Sequence, residues 1–371
     1  MLVLFDLVLQ AQTVIKKYFP YLKIQSQYHD ALKRKEYNLL PILYRSPETG
    51  VATGIVLVAL FKPPHTKDST TRTSNLGIPL IISEAGQKIA IVQGNIMFNK
   101  DRIFWRSLNI IEDFKEQYWG IGNKARWEDH EYITYKLLRL QHRVSARVFR
   151  KHYIGLQHHL YSAWDIAGDS TLYLPDALGN RGMYTSGMGV GYLFDNRDNI
   201  VNTYKGTFID IGTYHYHKVF GSEYGFSQYK LDFRQFFEVV KNQVLAYQLI
   251  FEYNEGNVTF MQMAHMGGAV AMRGYYYGRY RDKIHHTLQA EYRVKLTDFF
   301  GFVIFGGMAN IANTWSTYEI NTLKVAGGAG IRLNINKQEK VFVRLDGGIG
   351  EIDTRTGENS YGIYFHVGEA F

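Results

Sequence analysis

The chain has 371 residues, among them 28 Tyr, 23 Phe and 35 Gly against only 7 Pro, and 20% of its residues are charged. That composition favours one large all-β domain and excludes a disordered chain. The absence of Cys excludes a disulfide framework and thiolate metal sites, and the net charge of +8 is spread along the chain rather than gathered in blocks, so nucleic acid is not an expected partner.

The first element is the apolar run Leu2–Leu9 in "MLVLFDLVLQAQ", interrupted by Asp6 and followed by small and polar residues around Ala11. It lacks a basic start, yet residues 1–11 read as the remnant of an export signal. Residues 12–36 then form a short lead-in, too little chain for an independently folded domain. No later stretch reaches the roughly 18 consecutive apolar residues of a transmembrane helix, so any membrane crossing must use strands.

From residue 37 to 371 the dominant signal is period-two alternation. In "YKLDFR", Tyr229, Leu231 and Phe233 share one face and Lys230, Asp232 and Arg234 the other. In "TLQAEYRVK", Leu288, Ala290, Tyr292 and Val294 oppose Gln289, Glu291, Arg293 and Lys295; in "KVFVRLD", Val341, Val343 and Leu345 oppose Arg344 and Asp346. The polar face carries charges of both signs over runs of about ten residues, as in a barrel with a lipid-facing exterior and a wet interior. The pattern predicts sixteen strands near 39–45, 51–61, 76–83, 88–98, 103–112, 132–148, 153–165, 184–194, 205–217, 224–238, 243–254, 285–295, 299–309, 324–335, 340–350 and 361–371. The expected fold is therefore all-β, a 16-stranded antiparallel transmembrane β-barrel; an even count returns both chain ends to one side. Short polar turns alternate with longer loops, the longest at about 255–284.

Other motifs carry less chemistry. "GMGVGY" (187–192) is followed by a charged turn rather than a helix N-terminus, so its glycines read as strand curvature and not as a phosphate loop. His215 and His217 share a face, and His158–His159 and His285–His286 are neighbours, but no further ligand stands at matching spacing, so no metal is expected. No nucleophile elbow occurs, and neither catalytic residues nor a cofactor are assigned.

Four segments together resemble the BamA/TamA-type family, the outer-membrane barrels related to β-barrel assembly and two-partner-secretion translocators (bacterial surface antigen family). "MRGY" (272–275), in the longest loop, is similar to the family's Arg-Gly-aromatic motif. "GVGYLFDNRDN" (189–199) followed by "YKG" (204–206) resembles a Gly-rich strand ending in an Asp-x-Arg-Asp-Asn periplasmic turn, here Asp195, Arg197 and Asp198, with Gly206 beyond it. "LYRSPETGVATG" (43–54) resembles the start of the barrel in shorter members. "SYGIYFHVGEAF" is similar to the β-signal, with Ser360 polar, Gly362 two residues on, Phe365 and Val367 at the aromatic and apolar positions, and Phe371 last.

The resemblance implies an extracellular loop folded into the lumen and locked there by Arg273, Gly274 and Tyr275, with Arg273 paired to Glu291 on the wall. A second acidic wall position, expected one strand after Glu291, falls in "FVIFGGM" (302–308), where Gly306 replaces it. The resemblance also implies the outer membrane of a Gram-negative bacterium and a barrel-only member without periplasmic polypeptide-transport repeats. The implied partners are outer-membrane lipid and lipopolysaccharide, unfolded outer-membrane polypeptides, and a periplasmic partner that supplies substrate capture. Three functions are open: an insertase or translocator acting through a first-strand/last-strand seam, a passive or structural barrel whose loop plugs the lumen, and an outer-membrane hydrolase. Gly362 and Gly368 thin the packing of the closing strand, which favours the first.

Overall fold

The computed structural model describes residues 36–62, 71, 73–170, 172–199, 202–336, 341–352, 359–367 and 369–371. The expected signal remnant 1–11, the lead-in 12–36 except for its last residue, and Gly368 lie outside the described residues.

The strands are β1 (Glu36–Ser46), β2 (Gly50–Phe61), β3 (Ser74–Ser83), β4 (Lys88–Phe98), β5 (Ile103–Tyr118), β6 (Glu131–Phe149), β7 (His152–Gly168), β8 (Met183–Asp195), β9 (Gly206–Tyr216), β10 (Phe226–Val240), β11 (Gln243–Gly256), β12 (Ala264–His265), β13 (Arg281–Asp282), β14 (Ile284–Lys295), β15 (Phe300–Ala312), β16 (Lys324–Asn336), β17 (Val341–Ile352) and β18 (Asn359–Val367). All but β12 and β13 close into one antiparallel barrel in which sequence neighbours pair, β11 pairs with β14, and β1 meets β18. The sixteen-stranded barrel read from the alternation is the fold observed. β12 and β13 form a two-residue ladder inside the connection between β11 and β14.

Alternation sorts the two faces. Leu43, Ile55, Ile82, Val144, Leu156 and Ile304 are exposed on the outside, whereas Arg143, Gln157, Gln248, Gln289, Glu291 and Asp346 are buried on the inside. A soluble barrel would reverse this arrangement; an apolar exterior around a hydrogen-bonded polar interior suits hydrocarbon. At one end the connections are short, as at 150–151 and 241–242; at the other they are long, as at 119–130 and 257–283.

Two boundaries differ from the sequence reading. β5 runs on to Tyr118 rather than stopping near 112, because Phe114 and Tyr118 continue the inward alternation and pack with Tyr135, Leu137, Tyr161 and Phe260. The closing strand stops at Val367, short of the 371 expected, and residues 369–371 leave the ladder: Ala370 and Phe371 bury themselves against Phe236, Val244 and Ala246.

The closure is staggered. Arg45 lies opposite Phe365, the one registered pair between β1 and β18 among the described residues. Continuing that antiparallel register puts Leu43 opposite Val367, where β18 ends, so residues 36–42 of β1 have no counterpart on β18. On their other side the same residues pair fully with β2, from Glu36–Leu60 onward. Pro41 lies within this stretch; lacking an N–H, proline is tolerated on a strand edge that β18 does not reach.

Candidate functional site

The connection 257–283 meets the inner wall at a crossing built from glycines. Gly274 has a φ of 116°, and a Cβ there would lie 2.6 Å from the Ile349 carbonyl carbon. Reciprocally, a Cβ on Gly348 would lie 2.7 Å from the Arg273 carbonyl carbon. Only glycine on both sides lets the two backbones approach this closely.

That approach sets the Arg273 guanidinium, 1% exposed, among wall side chains. Nη2 donates to Glu291 Oε1 on β14, Nη1 donates to Asp346 Oδ2 on β17 at 2.5 Å, and the guanidinium carbon sits 3.6 Å from the centre of the Phe305 ring on β15. The two carboxylates serve further arginines. Arg293 Nε donates to Glu291 Oε2 at 2.7 Å, Arg332 Nη1 to Asp346 Oδ1 at 2.5 Å, and Arg344 Nη1 to Asp346 Oδ2 at 3.3 Å. Arg332 Nε continues to Glu369 Oε2 at 2.8 Å. Four buried guanidinium groups thus share three buried carboxylates in one connected chain running from the connection to residue 369. Such burial is sustainable only because every charge has a partner.

The expectation about Gly306 is corrected here. Gly306 pairs with Ala290, on the outward-facing row, and could not have supplied an inward acid. Its neighbour Phe305 faces inward opposite Glu291 and supplies a ring to Arg273, while the second carboxylate is Asp346 on β17. The reach of the guanidinium, not the interval along the chain, chooses the partner. Alternation had put Arg293, Arg344 and Asp346 on the polar face; what it could not give was which strands their side chains bridge.

The same connection touches both sides of the closure. Ser360 Oγ on β18 donates to Gly274 O at 2.6 Å, and Gly274 N donates to Tyr364 Oη at 3.0 Å. Tyr277 N donates to Glu48 Oε1, in the turn joining β1 to β2, at 2.8 Å. Tyr275 Oη donates to Val325 O at 3.0 Å, and Tyr280 Oη to Glu351 Oε2 at 2.7 Å.

On the closing strand, Gly362 leaves room for a ring: a Cβ there would lie 2.4 Å from Tyr364 Oη. Phe365 and Val367 occupy the outward row, opposite Leu345 and Val343. Inward from them, His366 stacks on Tyr44 of β1 with ring centres 5.4 Å apart. Phe371 lies against Phe236 rather than in the strand.

The turn after β8 is tied by its own charges. Arg197 clasps Asp195 with Nε at 2.9 Å and Nη2 at 2.8 Å and lies over the Phe208 ring. Asp198 Oδ1 accepts from the Asn199, Tyr204 and Lys205 main-chain nitrogens. Gly206, with a φ of 124°, passes where a Cβ would lie 2.6 Å from Arg197 Cα.

A cavity of about 990 Å³ occupies the interior toward the short-turn end. Arg106 and Arg143 share Asp210 in its wall, Arg234 holds Asp232, and Arg147, Arg150 and Lys151 stand at its rim with no ion pair among the described residues. Also among the described residues, no three His, Asp or Glu side chains gather into a metal-binding set.

The family model "Omp85 superfamily domain" matches residues 94–371. No curated protein matches the chain. Among solved structures, the barrel is similar to BamA from Haemophilus ducreyi lacking POTRA domains 1–3, with a TM-score of 0.63 at 12% identity over 91% of this chain and 70% of that one. It is also similar to CdiB from Escherichia coli (TM-score 0.59, 10% identity, 96% and 73% covered) and to CdiB from Acinetobacter baumannii (0.57, 11%, 91% and 65%). At such identities the likeness speaks for the fold. With the family model covering most of the barrel, the chain belongs to the Omp85 superfamily of insertion and translocation barrels and resides in the outer membrane of a Gram-negative bacterium.

Proposed function

We propose that this protein is a non-enzymatic barrel of the BamA/TamA type that assists insertion or translocation of polypeptides through the seam between β1 and β18. The observation that carries the reading is the stagger: residues 39–42 of β1 present main-chain groups that, among the described residues, β18 does not cover. An uncovered edge is a template on which an incoming strand can pair. The connection 257–283 acts as a lumen plug, with Arg273, Gly274, Tyr275 and Glu291 as its lock. Asp195, Arg197, Asp198 and Gly206 form a rigid periplasmic turn, and Ser360, Gly362, Phe365, Val367 and Phe371 a closing segment read during assembly. Outer-membrane lipid, lipopolysaccharide, unfolded outer-membrane polypeptides and a periplasmic capture partner complete the reading.

A second reading, a passive barrel, draws on the tethers from the connection to Ser360, Tyr364 and Glu48, which hold both sides of the closure. Cysteines at Arg45 and Phe365, the registered pair, separate the two. Oxidising that pair should stop the chain from promoting insertion of a model barrel polypeptide into liposomes, and reduction should restore it. Undiminished insertion by the oxidised chain would overturn the seam and leave the passive barrel.

A further inference from the structure

The outward row of a membrane strand is apolar where it faces hydrocarbon, and on β15 it is: Phe302, Ile304, Gly306 and Met308. On β5–β8 the row is interrupted. Ser107 and Asn109 on β5, His142 on β6, His158 on β7 and Ser186 on β8 point outward, because Arg106, Arg143, Gln157 and Thr185 beside them bond across the interior. The five are neighbours. Ser107 stands opposite His142 and His142 opposite His158, while His158 Nε2 lies 3.2 Å from Ser186 Oγ. Asn109 Nδ2 donates to Ser107 Oγ at 2.9 Å.

This polar stripe does not lie at the edge of the apolar band. In the outward row of β6, His142 has Leu138 and Leu140 on one side and Val144 and Val148 on the other; on β7, His158 stands between Leu156 and Leu160. Val144, Val148 and Leu156 are exposed, so the imidazoles open onto the same apolar surface. Water does not serve polar atoms there, and each unmet donor or acceptor is costly. The stripe meets part of its need internally, yet His142 has no hydrogen-bond partner among the described residues and its Nδ1 is buried. Acyl chains offer no hydrogen bond, and headgroups lie beyond the flanking apolar residues, so a protein surface is what completes the stripe.

Its chemistry fits a second copy of this chain. An imidazole carries one donor and one acceptor nitrogen, and hydroxyl and amide side chains likewise both donate and accept. The stripe is therefore complementary to itself, as a row of like charges would not be. Copies inserted in the same direction can be related by a two-fold axis along the membrane normal, which brings the same residues together at the same depth.

We propose that the outward face of β5–β8 is a homodimer interface within the membrane, joined through Ser107, His142 and His158 and flanked by Val144 and Leu156. The face lies away from the closure formed by β1 and β18, so both copies keep that edge free and the dimer does not depend on the seam reading.

The chain contains no Cys, so a single introduced thiol reports on one face. In isolated outer membranes, Ser107→Cys treated with a short bis-maleimide should give a species of twice the chain's mass, and Ile304→Cys on β15 should not. The purified chain in density-matched detergent should sediment as a dimer. His142→Leu combined with His158→Leu should raise the dissociation constant at least about tenfold while the unboiled gel shift is retained. His142→Gln with His158→Gln, which keeps a donor and an acceptor at each position, should raise it less. The proposal is overturned by a monomeric chain, by a dissociation constant that the two Leu substitutions leave unchanged, or by equal crosslinking from Ile304→Cys. It is likewise overturned if Ser107→Cys gives no doubled species or is joined to a different protein.

Discussion

Arg273 meets Glu291, Asp346 and the face of Phe305 at once, so its guanidinium is almost fully withdrawn from water. Removing one partner of a buried ion pair costs on the order of 3–5 kcal/mol. Here Glu291 keeps Arg293, and Asp346 keeps Arg332 and Arg344, so Arg273→Ala should fall toward the lower end of that range. Limited proteolysis should show faster cleavage within 257–283. Glu291→Gln should act in the same direction, and the two changes together should cost less than their sum; strict additivity would place the lock elsewhere. Glu48 gives a separate prediction, since burial holds its carboxyl above the ordinary glutamate range, against the Ser46 hydroxyl and the Tyr277 N–H, which lower it. A raised acid binds its proton more tightly folded than unfolded. Its contribution is therefore fully present below the ordinary glutamate value and is lost as pH rises through the folded value. Glu48→Gln should flatten that part of the pH profile of heat resistance, measured as the temperature at which the unboiled gel band converts. An unchanged slope would show that Glu48 does not titrate in this window.

At the scale of strands, Gly362 leaves no room for an added methyl group beside Tyr364. Gly362→Ala would push on Tyr364 Oη, which accepts from Gly274 N, so the change should loosen the connection from β18 without breaking the barrel. The expected signature is increased cleavage within 257–283 with the unboiled gel shift retained; equal protection would mean that Tyr364 yields freely. The strands themselves were legible, because the period-two pattern in segments such as 285–295 states directly which side chains face in. Their ends were less so. β5 extends to Tyr118 because its last turn of alternation serves the cluster around Tyr135 and Phe260, which lies far along the chain. The end of β18 was misread for a related reason: Phe371 fits an alternating strand as well as it fits the pocket beside Phe236, and only the fold decides. Likewise Gly306 looked like a lost acid because the spacing of strands along the chain does not report which inward side chains a buried arginine reaches.

For the whole molecule, the interior charge has a consequence for permeation. The cavity toward the short-turn end carries Arg106, Arg143, Arg147, Arg150, Lys151, Arg197, Lys230 and Arg234 against Asp101, Asp195, Asp210, Asp232 and Glu252, an excess of basic over acidic side chains. Arg147, Arg150 and Lys151 at its rim are the part of that excess left without ion pairs among the described residues. In a narrow, low-dielectric passage, uncompensated charge of one sign concentrates the opposite ion. Whatever current passes when the 257–283 connection is loosened by Arg273→Ala should therefore be carried mainly by anions. In a planar bilayer under a potassium chloride gradient, the reversal potential should lie on the chloride side of zero and move toward zero when Arg147, Arg150 and Lys151 are changed to Gln. A cation-selective current would mean that ions take a route that avoids this vestibule. With that outcome the vestibule would be an electrostatic filter as well as a space, its charge discrimination set by Arg147, Arg150 and Lys151 at the rim.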